Sequence, residues 1–192
     1  MTFARVVGLD TSLTSTGLAR LALTPEGELA GSVALIHPAS KLKGRERMEW
    51  MRLQIVQECN IPVTRADANE RVLVVMEKAI PQRQAFALEN IGLWWLVKHT
   101  IEASPRFTVV QVYATTAKKY LTGNGGAGKD EVLLNVERRY RHIAEVNGND
   151  QADALGFAVM GADRLGWPVP KVTKIQAASL EKMEWFDGPS DN

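Results

Sequence analysis

Two hydrophobic periods divide this chain into elements. Residues 5–10 (RVVGLD), 16–23 (TGLARLAL) and 29–37 (LAGSVALIH) read as three strands, the second and third joined by a turn at Pro25, Glu26, Gly27 and Glu28 in a β-meander. Gly17 gives the chain freedom after the first strand. From about 43 to 59, Met48, Met51, Leu53, Ile55 and Val56 form an imperfect apolar stripe and predict a helix. The run 71–82 (RVLVVMEKAIPQ) is almost wholly apolar up to Glu77, the pattern of a parallel strand buried on both faces. Residues 84–102 read as a helix whose apolar side chains cover most of its circumference, so it needs cover on two sides, from the core or from a second subunit. A strand over 107–113, a helix over 114–121, a glycine-rich loop over 123–130 and helices over about 130–145 and 149–165 complete the pattern. The succession predicts a mixed α/β sheet with helices on its faces and the first strand at its centre. One domain spans 1–166; the remainder, 167–192, has early prolines and an acidic end and is expected to pack loosely or fray.

Composition narrows the picture. At 192 residues and 45% hydrophobic content the chain can bury one well-packed core. With 23 Lys+Arg against 22 Asp+Glu the net charge of +1 says nothing about a polyanionic partner, so only local clustering can. A single cysteine, Cys59, excludes an internal disulfide framework and a cysteine-based zinc site, and suits a reducing cytoplasm. No run is long enough to span a membrane and the first ten residues lack the features of a signal peptide, so a cytoplasmic protein is expected.

The loop 123–130 (GNGGAGKD) matches two nucleotide-binding patterns. Gly123, Gly125 and Gly128 satisfy G-x-G-x-x-G, but that fingerprint needs a strand before it, and KKYLT reads as helix. Gly123 to Lys129 fit G-x-x-x-x-G-K, yet Asp130 stands where a phosphate loop carries Ser or Thr, and its charge would repel phosphate. A loop leading into a helix, with Lys129 solvated, explains the same residues.

Carboxylates carry the candidate chemistry. Asp10 and Glu77 each end an apolar strand, where an ionised group loses hydration unless a cation or several donors replace the water. Asp150 and Asp153 lie three apart at the start of an apolar helix and share one face. Singly, Asp150 suits a helix N-terminus and Asp10 a turn cap. If the first and fourth strands are neighbours and the helix packs over their ends, all four converge. Like charges so crowded resist joint ionisation, and Mg²⁺ or Mn²⁺ would resolve the conflict.

These residues resemble a known family. GLDTSLTSTGLA is similar to the opening strand and turn of the RuvC family of Holliday-junction resolvases, VVMEKAI to its second acidic strand, and DQADALGFAV to its closing D-x-x-D-A-L helix. YATTAKKYLTGNGGAGKDEV resembles the segment that carries the family's basic residues, so the likeness runs in order from about residue 4 to 165. The resemblance implies an RNase H-like fold, a mixed five-stranded sheet flanked by helices. It also implies a homodimer that nicks branched DNA, a Holliday junction, fork or flap, with two Mg²⁺ or Mn²⁺ ions per site held by Asp10, Glu77, Asp150 and Asp153. By the same matching Lys118 and Lys129 stand near the scissile phosphate, Lys129 as a catalytic residue. Lys118, Lys119, Arg83 and Arg138 are the candidate DNA contacts. Where bacterial members place an aromatic wedge, 78–84 (KAIPQRQ) offers Ile80 and Arg83. The implied setting is the cytoplasm of a bacterial or phage-infected cell.

Two other classes share parts of the pattern. A non-catalytic module gripping branched DNA would have no need of four mutually repelling acids. An ATP-handling relative of the actin and sugar-kinase group shares the opening GLDTSLTSTG, but such proteins need two similar lobes and this chain has room for one.

Overall fold

The strand that reads as doubly buried lies beside the first strand in the middle of the sheet. β1 (Arg5–Asp10), β2 (Thr16–Leu23) and β3 (Leu29–Ile36) form the antiparallel meander. β4 (Val72–Glu77) pairs parallel with β1, and β5 (Phe107–Val112) parallel with β4, giving the order β3-β2-β1-β4-β5. The structure, a computed structural model, describes residues 3–63, 70–80, 87–183 and 185. Successive side chains of a strand point to opposite faces. Val6, Leu73 and Val75 therefore enter one core, whereas Val7, Leu9, Val72, Val74 and Met76 enter the other. The first is roofed by α3 (Ala114–Thr122), α4 (Lys129–Tyr140) and α5 (Asn149–Arg164), the second by α1 (Gly44–Asn60) and α2 (Ala87–Glu102). Cover on both faces is why neither β1 nor β4 alternates.

Helix α5 touches the sheet backbone to backbone. A Cβ added to Gly8 of β1 would lie 2.0 Å from the Ala154 carbonyl oxygen, and one added to Gly17 of β2 would lie 1.9 Å from that of Asp150. The helix answers with small residues of its own, Ala152, Ala154, Ala158, Gly161 and Ala162, all buried. Gly17 thus lies inside β2, paired with Asp10 and Leu35; its role is the close approach of α5, not freedom after the first strand.

Several expectations are corrected. In α1 the inward face is Met51, Ile55 and Cys59, and Leu53 is half exposed. The fourth helix stops at Tyr140, well before 145, because the Ile143 and Ala144 N–H groups turn back to the Tyr140 carbonyl and bury both residues. Positions 84–86 of the expected second helix lie outside the described residues. Within α2, Leu93, Trp94, Val97 and Ile101 are buried, while Leu88 (81% exposed), Trp95 and Leu96 face away, so among the described residues only one side of the helix is covered. The segment after Gly166 does not fray over its described part. A short helix α6 (Lys174–Ala177) begins in a capping box between Thr173 and Gln176, and a 3-10 turn follows at Leu180–Lys182. Gln176 Nε2 donates to the Leu121 carbonyl (3.3 Å), Arg139 Nη2 donates to the Lys171 carbonyl (3.1 Å), and Met183 is buried in the core. Among the described residues no helix is long and apolar enough to cross a membrane.

Gly8→Ala is expected to cost about 3 kcal/mol or more in denaturant unfolding, because the new methyl meets backbone that cannot turn aside. Gly92→Ala, in the interior of α2 with only the flexible Met48 tip at 3.5 Å, is the control and should be neutral or stabilising by up to about 1 kcal/mol. Equal effects at the two positions would contradict the packing described.

Candidate active site

Sheet register brings the first two acids together. Leu9 pairs with Met76 across β1 and β4, so the next step along both strands sets Asp10 beside Glu77 at their carboxyl ends. Asp10 also pairs with Gly17 of β2, and the Asp150 backbone rests on that glycine. Asp153 follows one turn later, on the same face of α5 and beside the Ala154 contact with Gly8. The four acids singled out in the sequence therefore meet at one edge of the sheet.

The electrostatics follow from this crowding. Burial, then the charges of Asp153, Glu77 and Asp150, push the Asp10 carboxyl well above the usual aspartate range, with Lys129 opposing. Burial raises Glu77 as well, helped by Asp153 and opposed by Lys118, Lys129 and a hydrogen bond from Asp10. Burial pushes Asp153 up to about 6, against the pull of Lys129 and Lys118. Burial and like charge both favour the protonated acids here, and a bound cation would act in the opposite sense.

Of the sequence-predicted basic residues, Lys118 and Lys129 face this cluster. Lys118, half-buried on α3, and Lys129, the exposed first residue of α4, both act on the acids. The glycine loop starts from Gly123, the left-handed cap of α3 (φ 87°), so a helix and not a strand precedes it. Gly125 folds back against the Thr115 carbonyl, which returns Lys129 toward the start of α3. Lys119 lies on α3 without a resolved effect on the acids. Arg138 stands nine positions along α4 from Lys129, on the order of 13 Å along the axis; it lines a shallow depression with Glu137, Arg141 and His142. Arg83 lies outside the described residues.

Beside Asp10 and Glu77 opens a cavity of about 190 Å³, lined further by Thr11, Ile80, Asn90 and Trp94. Trp94 Nε1 donates to the Glu77 carbonyl (2.7 Å), fixing the strand end that carries the acid. The Thr11 hydroxyl oxygen is buried without a hydrogen-bond partner. Four carboxylates form an all-oxygen set of the kind that suits a hard divalent cation. Among the described residues no group of three or more histidine, cysteine, aspartate or glutamate side chains is placed to hold a metal ion as it stands.

The turn between β1 and β2 adds residues that sequence patterns do not single out. Ser15 Oγ donates to Asp150 Oδ2. The Leu13 N–H donates to Asn90 Oδ1 (3.0 Å), tying the turn to α2. The run of hydroxyl residues in TSLTST is the available signal, but hydroxyl-rich turns look alike until a partner is placed beside them.

Comparisons with known proteins agree with the fold. No family model matches the chain. A 48-residue segment, 25% of this chain and 31% of the relative, is 44% identical to crossover junction endodeoxyribonuclease RuvC of Helicobacter acinonychis. RuvC of Helicobacter pylori aligns at 24% identity over 156 residues, 76% of this chain and 96% of that one. Among solved structures, Thermus thermophilus RuvC superposes with a TM-score of 0.61 at 21% identity, covering 87% of this chain and 99% of the other. The same protein in complex with Holliday junction substrate gives 0.60 at 21%, covering 85% and 96%. The resemblance noted on short motifs thus extends to nearly the full length of RuvC and to its fold.

In cation-free buffer the raised carboxyls set the sign of a pH effect. Between the ordinary aspartate value of 3.8 and about 6, folded Asp153 holds more protons than unfolded Asp153, so its contribution to stability falls as pH rises through that window. Thermal melts in EDTA should show Asp153→Asn more stable than the parent at pH 7, with the difference vanishing near pH 4. A variant less stable than the parent at pH 7 would show that the charge is not crowded.

Proposed function

We propose that this chain is a divalent-metal-dependent endodeoxyribonuclease that nicks Holliday junctions or other branched DNA. The observation that carries the reading is the gathering of Asp10, Glu77, Asp150 and Asp153 at one sheet edge with Lys118 and Lys129 facing them. An arrangement so costly in charge repulsion has no structural use that an uncharged residue would not serve better. The likeness to RuvC, one structure of which holds a Holliday junction substrate, supports branched DNA as the substrate class.

Asp10, Glu77, Asp150 and Asp153 would hold the two Mg²⁺ or Mn²⁺ ions. Bound there, the cations supply an activated water and stabilise the charge that develops on the leaving 3′ oxygen. Lys129, at the mouth of the acidic cluster, meets the charge that builds on the scissile phosphate, and Lys118 holds the same phosphate from α3. Lys119 and Arg138, further from the acids, grip the DNA backbone, a contact that carries no sequence information. The exposed apolar side chains Leu88, Trp95 and Leu96 of α2 offer a second copy its contact surface, so that a two-fold dimer presents two sites to two strands.

Labelled junction, fork, flap and duplex DNA, each incubated in Mg²⁺ and in EDTA, test the assignment. Cleavage is expected on branched substrates in Mg²⁺ alone. Asp10→Asn should abolish nicking yet still shift the junction in a metal-free gel; full cleavage by this variant would refute the metal role. Lys129→Ala is expected to lower the cleavage rate about 100-fold with little change in affinity. The reverse pattern would make Lys129 a binding residue.

A further inference from the structure

We infer that Ser15 is a positioning residue that fixes Asp150 for cation binding, and that Asn90 of α2 holds the turn from which Ser15 acts. The inference rests on the metal-dependent reading above and adds the residues that orient one of its ligands.

The turn 11–15 is pinned at several points. The Ser12 N–H donates to Thr16 Oγ1 (3.0 Å), and the Thr16 hydroxyl donates back to the Ser12 carbonyl (2.8 Å), closing a ring around the turn. Thr16 is fully buried in β2, so this ring is anchored to the sheet. Leu13 is buried in the same core as Trp94, and its N–H reaches across 77 positions to Asn90 Oδ1. With both sides held, Ser15 has little freedom to aim elsewhere than at Asp150 Oδ2.

Asp150 needs such a hold. It lies in the first turn of α5, where a carboxylate has exposed backbone N–H groups to fold back upon. Its backbone is fixed against Gly17, but its side-chain torsions are not fixed by that contact. A hydroxyl bound to one carboxylate oxygen selects a single rotamer and turns the other oxygen outward. A cation then binds without first freezing the side chain. Hydrogen-bonding partners of this kind typically carry 10–100-fold, roughly, in metal affinity.

Calorimetric titration of the DNA-free protein with Mn²⁺ is the test, with metal-dependent thermal shifts as a second readout. Ser15→Ala is expected to weaken Mn²⁺ binding at least about 10-fold, and Ser15→Thr, which keeps the hydroxyl, to restore it. Asn90→Ala should move affinity in the same direction as Ser15→Ala. Thr14→Ala, an exposed neighbour in the same turn, should titrate as the parent does. If the parent binds Mn²⁺ and Ser15→Ala binds it equally well, the positioning role is wrong while the metal site stands. Equal binding by Asn90→Ala removes the α2 anchor alone, and a parent that binds no Mn²⁺ overturns the metal reading itself.

Discussion

Helix α5 meets β1 at Gly8 and β2 at Gly17 with no strand side chain between the backbones. Everything at the acidic edge depends on that contact. Gly8 and Gly17 remove the Cβ atoms that would hold a helix at ordinary stand-off, and the carbonyls of Ala154 and Asp150 occupy the vacated space. Asp150 and Asp153 reach the ends of the strands only because their helix is pressed so near. Residues of ordinary size at either glycine would lift the amino end of α5, and the two aspartates with it, away from Asp10 and Glu77.

The same closeness creates an electrostatic burden. Four carboxyls share a partly buried volume, and burial is the leading cause of the raised values of Asp10, Glu77 and Asp153. The rest of the fold is arranged to bear this. Trp94 ties the Glu77 carbonyl from the α2 side, and Ser15 takes one oxygen of Asp150 from the turn. Lys118 and Lys129 approach from the third side, carried on two helices joined by the glycine loop. The segment after Gly166 buttresses those helices, since Gln176 and Arg139 link it to the end of α3 and to α4. A part of the chain with no place in the acidic motif thereby steadies the elements that present its cations.

Much of this is legible from local anomalies. An apolar strand that ends in a carboxylate is unusual enough to stand out in the bare sequence, and Asp10 and Glu77 both do so. Asp150 and Asp153 declare a shared face by their spacing. Lys118 and Lys129 enter through resemblance, and both face the acids, whereas spacing alone leaves Lys129 no better than solvated. Lys119 and Arg138 group with them in sequence because a run of basic residues contains no direction, and they lie away from the cluster. The segment after Gly166 misleads in the other direction: its prolines suggest fraying, although T-x-x-Q at 173–176 is a helix-start signature that the fold honours.

By itself the sequence determined the strand and helix periods, the doubly buried character of β4, and the candidate acids, because these depend on neighbours within a few positions. Tertiary structure alone decided which neighbour Ser15 would find, why Gly17 must be glycine, and which side of α2 packs on the sheet. Each of those depends on a partner far along the chain, Asp150, the backbone of α5 or the face of a sheet, and periodicity contains no term for a partner it has not yet met.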